Sequence, residues 1–81
     1  MDFKQLESFI TIAKYNSFSK AARELYLTQP TLSNHIQNLE SELGILLFDR
    51  KGKTIELTDA GKTFKNHAVE IIKKRDSAVF T

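Results

Sequence analysis

The stretch from Thr28 to Gly44 constrains this chain more than any other, because it carries a start signal, a stop signal and two faces of different chemistry. Thr28 predicts an N-cap, its hydroxyl accepting from an otherwise orphan backbone N–H. Pro30 falls in the first turn, where a missing N–H costs nothing. Gly44 follows Leu43, where a helix end calls for a left-handed residue. Between them Leu32, Ile36, Leu39 and Leu43 recur at helical spacing and predict one narrow apolar stripe. The opposite face carries Pro30, Ser33, Asn34, Gln37 and Ser41, flanked by Gln29, Thr31 and Asn38. An ordinary solvated helix face is richer in Lys and Glu. Short, mostly uncharged donors and acceptors suit a partner that presents its own patterned polar surface.

The 81 residues suffice for one small domain with a modest core. Without Cys there is no disulfide framework and no thiolate metal site, which fits a reducing, cytoplasmic setting. No apolar run approaches the roughly 20 residues that span a bilayer. Met1-Asp2-Phe3-Lys4 lacks the basic region and apolar core of a secretion signal. The expectation is therefore a cytoplasmic chain with no membrane partner. Net charge is +2, unevenly spread. Four bases against five acids leave residues 1–45 at −1, and eight bases against five acids leave residues 46–81 at +3. Attraction for a polyanion is concentrated in the second half.

Asp2 and Gln5 form a capping-box pattern ahead of a helix whose Phe3, Leu6, Phe9, Ile10 and Ala13 share one side and which ends near Asn16. Ser19 is the expected cap of a second helix running through Ala21, Ala22 and Leu25 to about Tyr26. A few turn residues then lead into the Thr28 helix, which makes a helix-turn-helix unit. After Gly44 the period changes. Ile45–Phe48 is an apolar run, Asp49–Lys53 a polar turn with Gly52 at its tip, and Thr54–Leu57 alternates as a half-buried strand does. Thr58 and Asp59 cap a final helix of about 20 residues, too long for so small a domain to cover. The expected fold is mainly α: three helices and a two-stranded hairpin wing over residues 1–58, a winged helix-turn-helix, then a long linker helix over residues 59–81. Phe64, Ala68, Val69, Ile71, Ile72, Val79 and Phe80 are its candidate dimer-interface residues.

At this point the residues resemble the N-terminal DNA-binding domain of LysR-type bacterial transcriptional regulators. The resemblance lies in Leu6-Glu7-Ser8-Phe9, Ser17 to Ala22, Leu27 to Ser33, Ile36 to Glu40, Leu43-Gly44, Leu47 to Arg50 and Leu57 to Gly61. It covers nearly the whole chain, in order. It implies sequence-specific binding of double-stranded DNA by a homodimer joined through the last helix. It also implies an effector-binding domain of roughly 200 residues beyond this chain, where a small molecule would bind and through which higher oligomers would form. No cofactor is implied.

By this resemblance Gln29, Pro30, Thr31, Ser33 and Asn34 match base-contacting positions, the helix from about residue 29 to 43 lying in the major groove. Asn34 and Gln29 can pair with adenine N6 and N7, and the apolar parts of Pro30 and Thr31 suit a thymine methyl. Ser17, Ser19 and Lys20 can hold phosphates. Gln37, Asn38, Arg50, Lys51 and Lys53 are the further backbone-contacting candidates, residues 50–54 forming a wing on phosphate or minor groove. Asn34 departs from the family's more usual Arg. Arg favours guanine and Asn favours adenine, which predicts an A·T-leaning base pair opposite this residue.

Other readings are weaker. His35 reads as a packing or phosphate-contact residue. His67 and Glu70 stand one turn apart on a helix, but two ligands alone do not make a metal site. Lys73-Lys74-Arg75 reads as a solvated helix end. Gly61-Lys62-Thr63 ends like a phosphate-binding loop, yet Glu56 stands where that motif needs Gly. No nucleophile, base and orienting group come together in the pattern, so an enzyme is not expected. A protein-binding winged helix would need an apolar outward face, which Ser33, Asn34 and Gln37 do not supply.

Overall fold

Asp2 opens the first helix as its chemistry demands. Its side chain accepts from the Gln5 N–H at 2.8 Å, while the Gln5 side chain accepts from the Asp2 N–H at 3.1 Å. Two orphan donors are thereby satisfied reciprocally. Helix α1 (Phe3–Tyr15) ends on Asn16, which takes the left-handed conformation at φ 51°. A computed structural model describes residues 1–52 and 54–80, with the backbone alone at Phe80. It continues with α2 (Phe18–Glu24), α3 (Gln29–Leu43), β1 (Phe48–Asp49), β2 (Glu56–Leu57) and α4 (Asp59–Phe80). The strands are antiparallel, Phe48 opposite Leu57 and Asp49 opposite Glu56. This is the expected winged helix-turn-helix with a long last helix.

Two local boundaries differ from expectation. Ser17, not Ser19, caps α2, accepting from the Lys20 N–H at 3.1 Å. That start makes Phe18 the first helical residue, and its ring meets Phe48 with centroids 6.1 Å apart. The helix stops at Glu24, and Tyr26 turns the chain at φ 56° with 95% of its surface exposed. The hairpin is also shorter than the alternation over residues 54–57 suggests. The N–H groups of Leu47 and Phe48 donate to one carboxylate oxygen of Glu40, at 2.7 and 3.3 Å. Amides entering the hairpin are thus satisfied from α3 rather than by a longer ladder. Of the apolar run, Ile45 and Leu46 are exposed, while Leu47 and Phe48 are buried.

Helix α1 is the central element, packed against α2, α3 and α4. Phe9 is fully buried, with the rings of Phe48 and Phe64 at 5.3 and 5.4 Å. Truncating such a ring costs about 3–5 kcal/mol. Leu32, Ile36 and Leu39 of α3, Ala21 and Ala22 of α2, and Leu47 complete the core. The small residues of α2 let helices approach closely.

The start of α4 is tied to the hairpin. Thr58 donates its backbone N–H to the Leu47 carbonyl at 3.0 Å and its hydroxyl to the Leu46 carbonyl at 2.7 Å. The same hydroxyl accepts from the Gly61 N–H at 2.9 Å, capping the helix. Ala68 is fully buried in the core of its own chain, which corrects its expected place at a dimer interface. The reason is geometric: a methyl side chain one turn beyond Phe64 lets α4 lie close on α1. Phe64, Ile71 and Ile72 are half-buried against that core, Val69 is half-buried, and Val79 is 66% exposed. The expectation for Phe80 concerns a side chain outside the described residues.

Arg75 is not part of a solvated helix end. It donates to Glu7 at 2.7 Å and to Asp76 at 3.0 and 3.1 Å, with its guanidinium 5.1 Å from the Phe3 ring centroid. Its hydrogen bonds to Glu7 and then to Asp76 raise its pKa above the ordinary arginine value. Lys73 and Lys74 are exposed.

Candidate nucleic-acid interface

The caps and the apolar stripe of α3 settle which way its polar residues point. Thr28 accepts from the Thr31 N–H at 3.3 Å, and Gly44 ends the helix at φ 71° with its N–H on the Glu40 carbonyl. Leu32, Ile36 and Leu39 have no exposed surface. At 100° per residue, Pro30, Asn34, Gln37 and Ser41 then occupy the centre of the outward face, and all four are exposed.

The five residues expected to contact bases do not share that centre. Pro30 and Asn34 lie on it. Gln29 and half-buried Ser33 lie on one flank, Gln29 beside Ser19, Ala22 and Arg23 of α2. Thr31 lies on the other flank, accepting from the Thr28 hydroxyl at 2.9 Å. It lines a cavity of about 350 Å³ with Ser8, Leu25, Leu27 and His35. His35 is held there by Ser8, whose hydroxyl is 2.8 Å from its Nδ1. Asn38 is exposed on the Thr31 side.

The backbone-contacting candidates come from three elements. The Ser17 hydroxyl is occupied by capping and lies 3.1 Å from that of Ser19, while Ser19 and Lys20 are exposed beside it. Arg50 reaches from the wing to the same place, its guanidinium 4.5 Å from the Phe18 ring centroid. Lys51 is exposed, its backbone N–H on the Asp49 carboxylate at 3.0 Å. Lys53 lies outside the described residues. Between α3 and the wing runs an open groove of about 550 Å³, with Gln37 on one wall, Arg50 and Lys51 on the other, and Leu46 and Phe48 between. Helix α3, the start of α2 and the base of the wing therefore form one continuous surface.

Two residues that organise this surface are not among the site residues expected from the sequence. Glu40 holds the wing by bonding backbone amides, so no complementary side chain marks it. Phe18 reads as an ordinary apolar residue until the fold sets Arg50 over its ring. A second groove, of about 650 Å³, lies between the start of α1 and the end of α4. Phe3, Ile71, Ala78 and Val79 give it an apolar floor, and His67, Glu70 and Lys74 edge it. Among the described residues no helix is long and apolar enough to cross a membrane.

Comparison with known proteins places this surface in context. The family model for bacterial regulatory helix-turn-helix proteins of the lysR family matches residues 3–62. The HTH-type transcriptional regulator CitR of Bacillus subtilis (strain 168) is 43% identical over 79 residues, covering 98% of this chain and 27% of CitR. BsdA of the same organism is 45% identical over 80 residues, covering 98% of this chain and 28% of BsdA. The chain thus spans about a quarter of the length of the curated relatives it matches. Among solved structures, the BenM_DBD/catB site 1 DNA complex is similar at a TM-score of 0.94 and 38% identity, over 98% of this chain and 89% of that one. The CbnR_DBD–DNA complex is similar at 0.92 and 36%, over 96% and 90%.

Proposed function

The chain belongs to the lysR family of bacterial regulatory helix-turn-helix proteins, and from that premise we propose that it is the DNA-reading portion of a transcriptional regulator. Residues 1–58 read double-stranded DNA and residues 59–81 pair two copies. The observation that carries this reading is the outward face of α3, made of short uncharged donors and acceptors and bordered by Lys20, Arg50 and Lys51. Such a face can match the donor and acceptor pattern of base edges while the bordering cations meet phosphates. The BenM and CbnR structures it resembles are DNA complexes, which supports the same use here.

In this reading Pro30 and Asn34 enter the major groove at the centre of α3, with Gln29 and Ser33 to one side and Thr31 to the other. Asn34 pairs with an adenine. Ser19, Lys20, Gln37, Asn38, Arg50, Lys51 and Lys53 position the protein on the backbone, and Ser17 does so through the cap it forms. The groove along Phe3, Ile71 and Val79 receives the last helix of a second copy. The protein acts in the cytoplasm without catalysis or cofactor, and a small-molecule effector binds a further domain, whose presence the relatives' greater length supports.

Selection of bound duplexes from a random pool tests the reading. The wild-type chain is expected to enrich a two-fold symmetric site with an A·T pair opposite Asn34. Asn34→Ala is expected to lose discrimination at that pair by about 1–3 kcal/mol. Recovery of no consensus would contradict sequence-specific binding.

A further inference from the structure

The two arginines that sit over phenylalanine rings are in opposite electrical situations. Arg75 lies over Phe3, and its charge is paired with Glu7 and Asp76, which accept from its Nε, Nη1 and Nη2. Arg50 lies closer to its ring, 4.5 Å from the Phe18 centroid, and no carboxylate among the described residues is within ion-pairing distance of it. A salt bridge would hold Arg50 in place but would neutralise it and use its N–H groups. An aromatic face attracts the guanidinium through its quadrupole and leaves the planar fork of donors unspent. The ring is itself anchored: Phe18 meets Phe48, and Phe48 is buried against Phe9 at the centre of the core. A line of three rings therefore runs from the core to a cation on the surface.

We propose that Phe18 is a positioning residue for DNA binding, holding the Arg50 guanidinium beside the start of α2 with its donors free for a phosphate. The inference rests on the reading that this surface meets DNA. Arginine has rotamer freedom to lose when it is fixed, and less is lost on binding when it is already held. An exposed cation–π contact of about 0.5–1 kcal/mol corresponds to a change in affinity of about two- to fivefold per half-site.

The test is a double-mutant cycle on a duplex selected by the wild-type chain, with affinity measured across salt concentrations. Phe18→Leu removes the ring face and keeps an apolar side chain, and Phe18→Met does the same should the leucine variant fail to fold. Phe18→Tyr keeps the ring. In the wild-type background Phe18→Leu is expected to weaken binding about two- to fivefold per half-site, with Phe18→Tyr close to wild type. In the Arg50→Gln background, which lowers the salt slope by about 0.9 per lost phosphate contact, Phe18→Leu is expected to have no further effect. An equal loss in both backgrounds would assign Phe18 a purely structural role and overturn the proposal. So would wild-type affinity in Phe18→Leu. A wild-type chain that binds duplex DNA without salt dependence would fail earlier, at the DNA reading itself, and would take the proposal with it.

Discussion

Replacing Gly61 with Ala puts two ordinary expectations in direct opposition. Gly61 sits in the first turn of α4, where helix propensity alone makes Ala better by about 1 kcal/mol. The structure gives the opposite sign. A Cβ at this position would stand 2.1 Å from the Leu47 carbonyl oxygen and 3.1 Å from both the Leu47 carbonyl carbon and Leu57 Cδ2. The obstacle cannot simply swing aside. The Leu47 carbonyl accepts from Thr58, and the N–H of the same peptide unit, that of Phe48, donates to Glu40 at 3.3 Å, so the peptide is held from both sides. Relieving the overlap costs about 1–3 kcal/mol as overpacking, and moving the carbonyl costs about 1 kcal/mol more through the lost Thr58 bond. Set against the propensity gain, Gly61→Ala is expected to destabilise by about 1–3 kcal/mol, a fall in Tm of roughly 5–20 °C for a domain of this size. Thermal unfolding followed by circular dichroism measures it. Gly44→Ala is the control: open space surrounds that position, so only the left-handed backbone opposes the methyl, at a cost of about 1–2 kcal/mol. A Tm for Gly61→Ala equal to or above wild type would refute the packing of α4 on the hairpin.

Three further outcomes are expected. Glu40→Ala leaves two part-buried amides without their carboxylate acceptor, and urea denaturation is expected to show a loss of about 1.5–3 kcal/mol; an unchanged midpoint would mean the wing is held by other contacts. Sedimentation at micromolar concentration is expected to show a species of twice the 9.3 kDa chain mass, and Val79→Asp, at an exposed site on α4, is expected to give monomer with little change in intrachain stability; a wild-type monomer under these conditions would contradict pairing through α4. Asn34→Arg is expected to move the preferred base pair opposite residue 34 from A·T to G·C in a site selection, and an unmoved preference would remove Asn34 from the base-reading set.

Where the chain's signals are local, they are legible in its sequence. The Asp2–Gln5 capping box, the Thr28 cap with Pro30 behind it, and the left-handed Gly44 each depend on residues within one turn, and each forms as its residue types dictate. The stripe of Leu32, Ile36 and Leu39 likewise fixes the outward face of α3. What the sequence hides is set by contacts between distant segments. Two serines flank Phe18, and propensity does not choose between them; Ser17 takes the cap in the arrangement that turns Phe18 toward Phe48. The hairpin is cut short because Glu40 supplies acceptors that a ladder would otherwise provide. Ala68 belongs to a stripe that reads as interface, yet its small side chain is what lets α4 lie on α1. Arg75, seven residues further on, is drawn into an ion pair by Glu7 on another helix. At the candidate interface, the residue types select α3, the start of α2 and the wing, but the division of α3 into a centre and two flanks depends on how the helix is rotated in the fold.

The most direct measurement of the central claim is the affinity of the wild-type chain for a selected duplex as salt is raised. If Lys20, Arg50 and Lys51 each neutralise one phosphate in both half-sites, the slope of log affinity against log salt is about −5, and affinity falls roughly a thousandfold between 50 and 200 mM. A slope near zero would contradict the account.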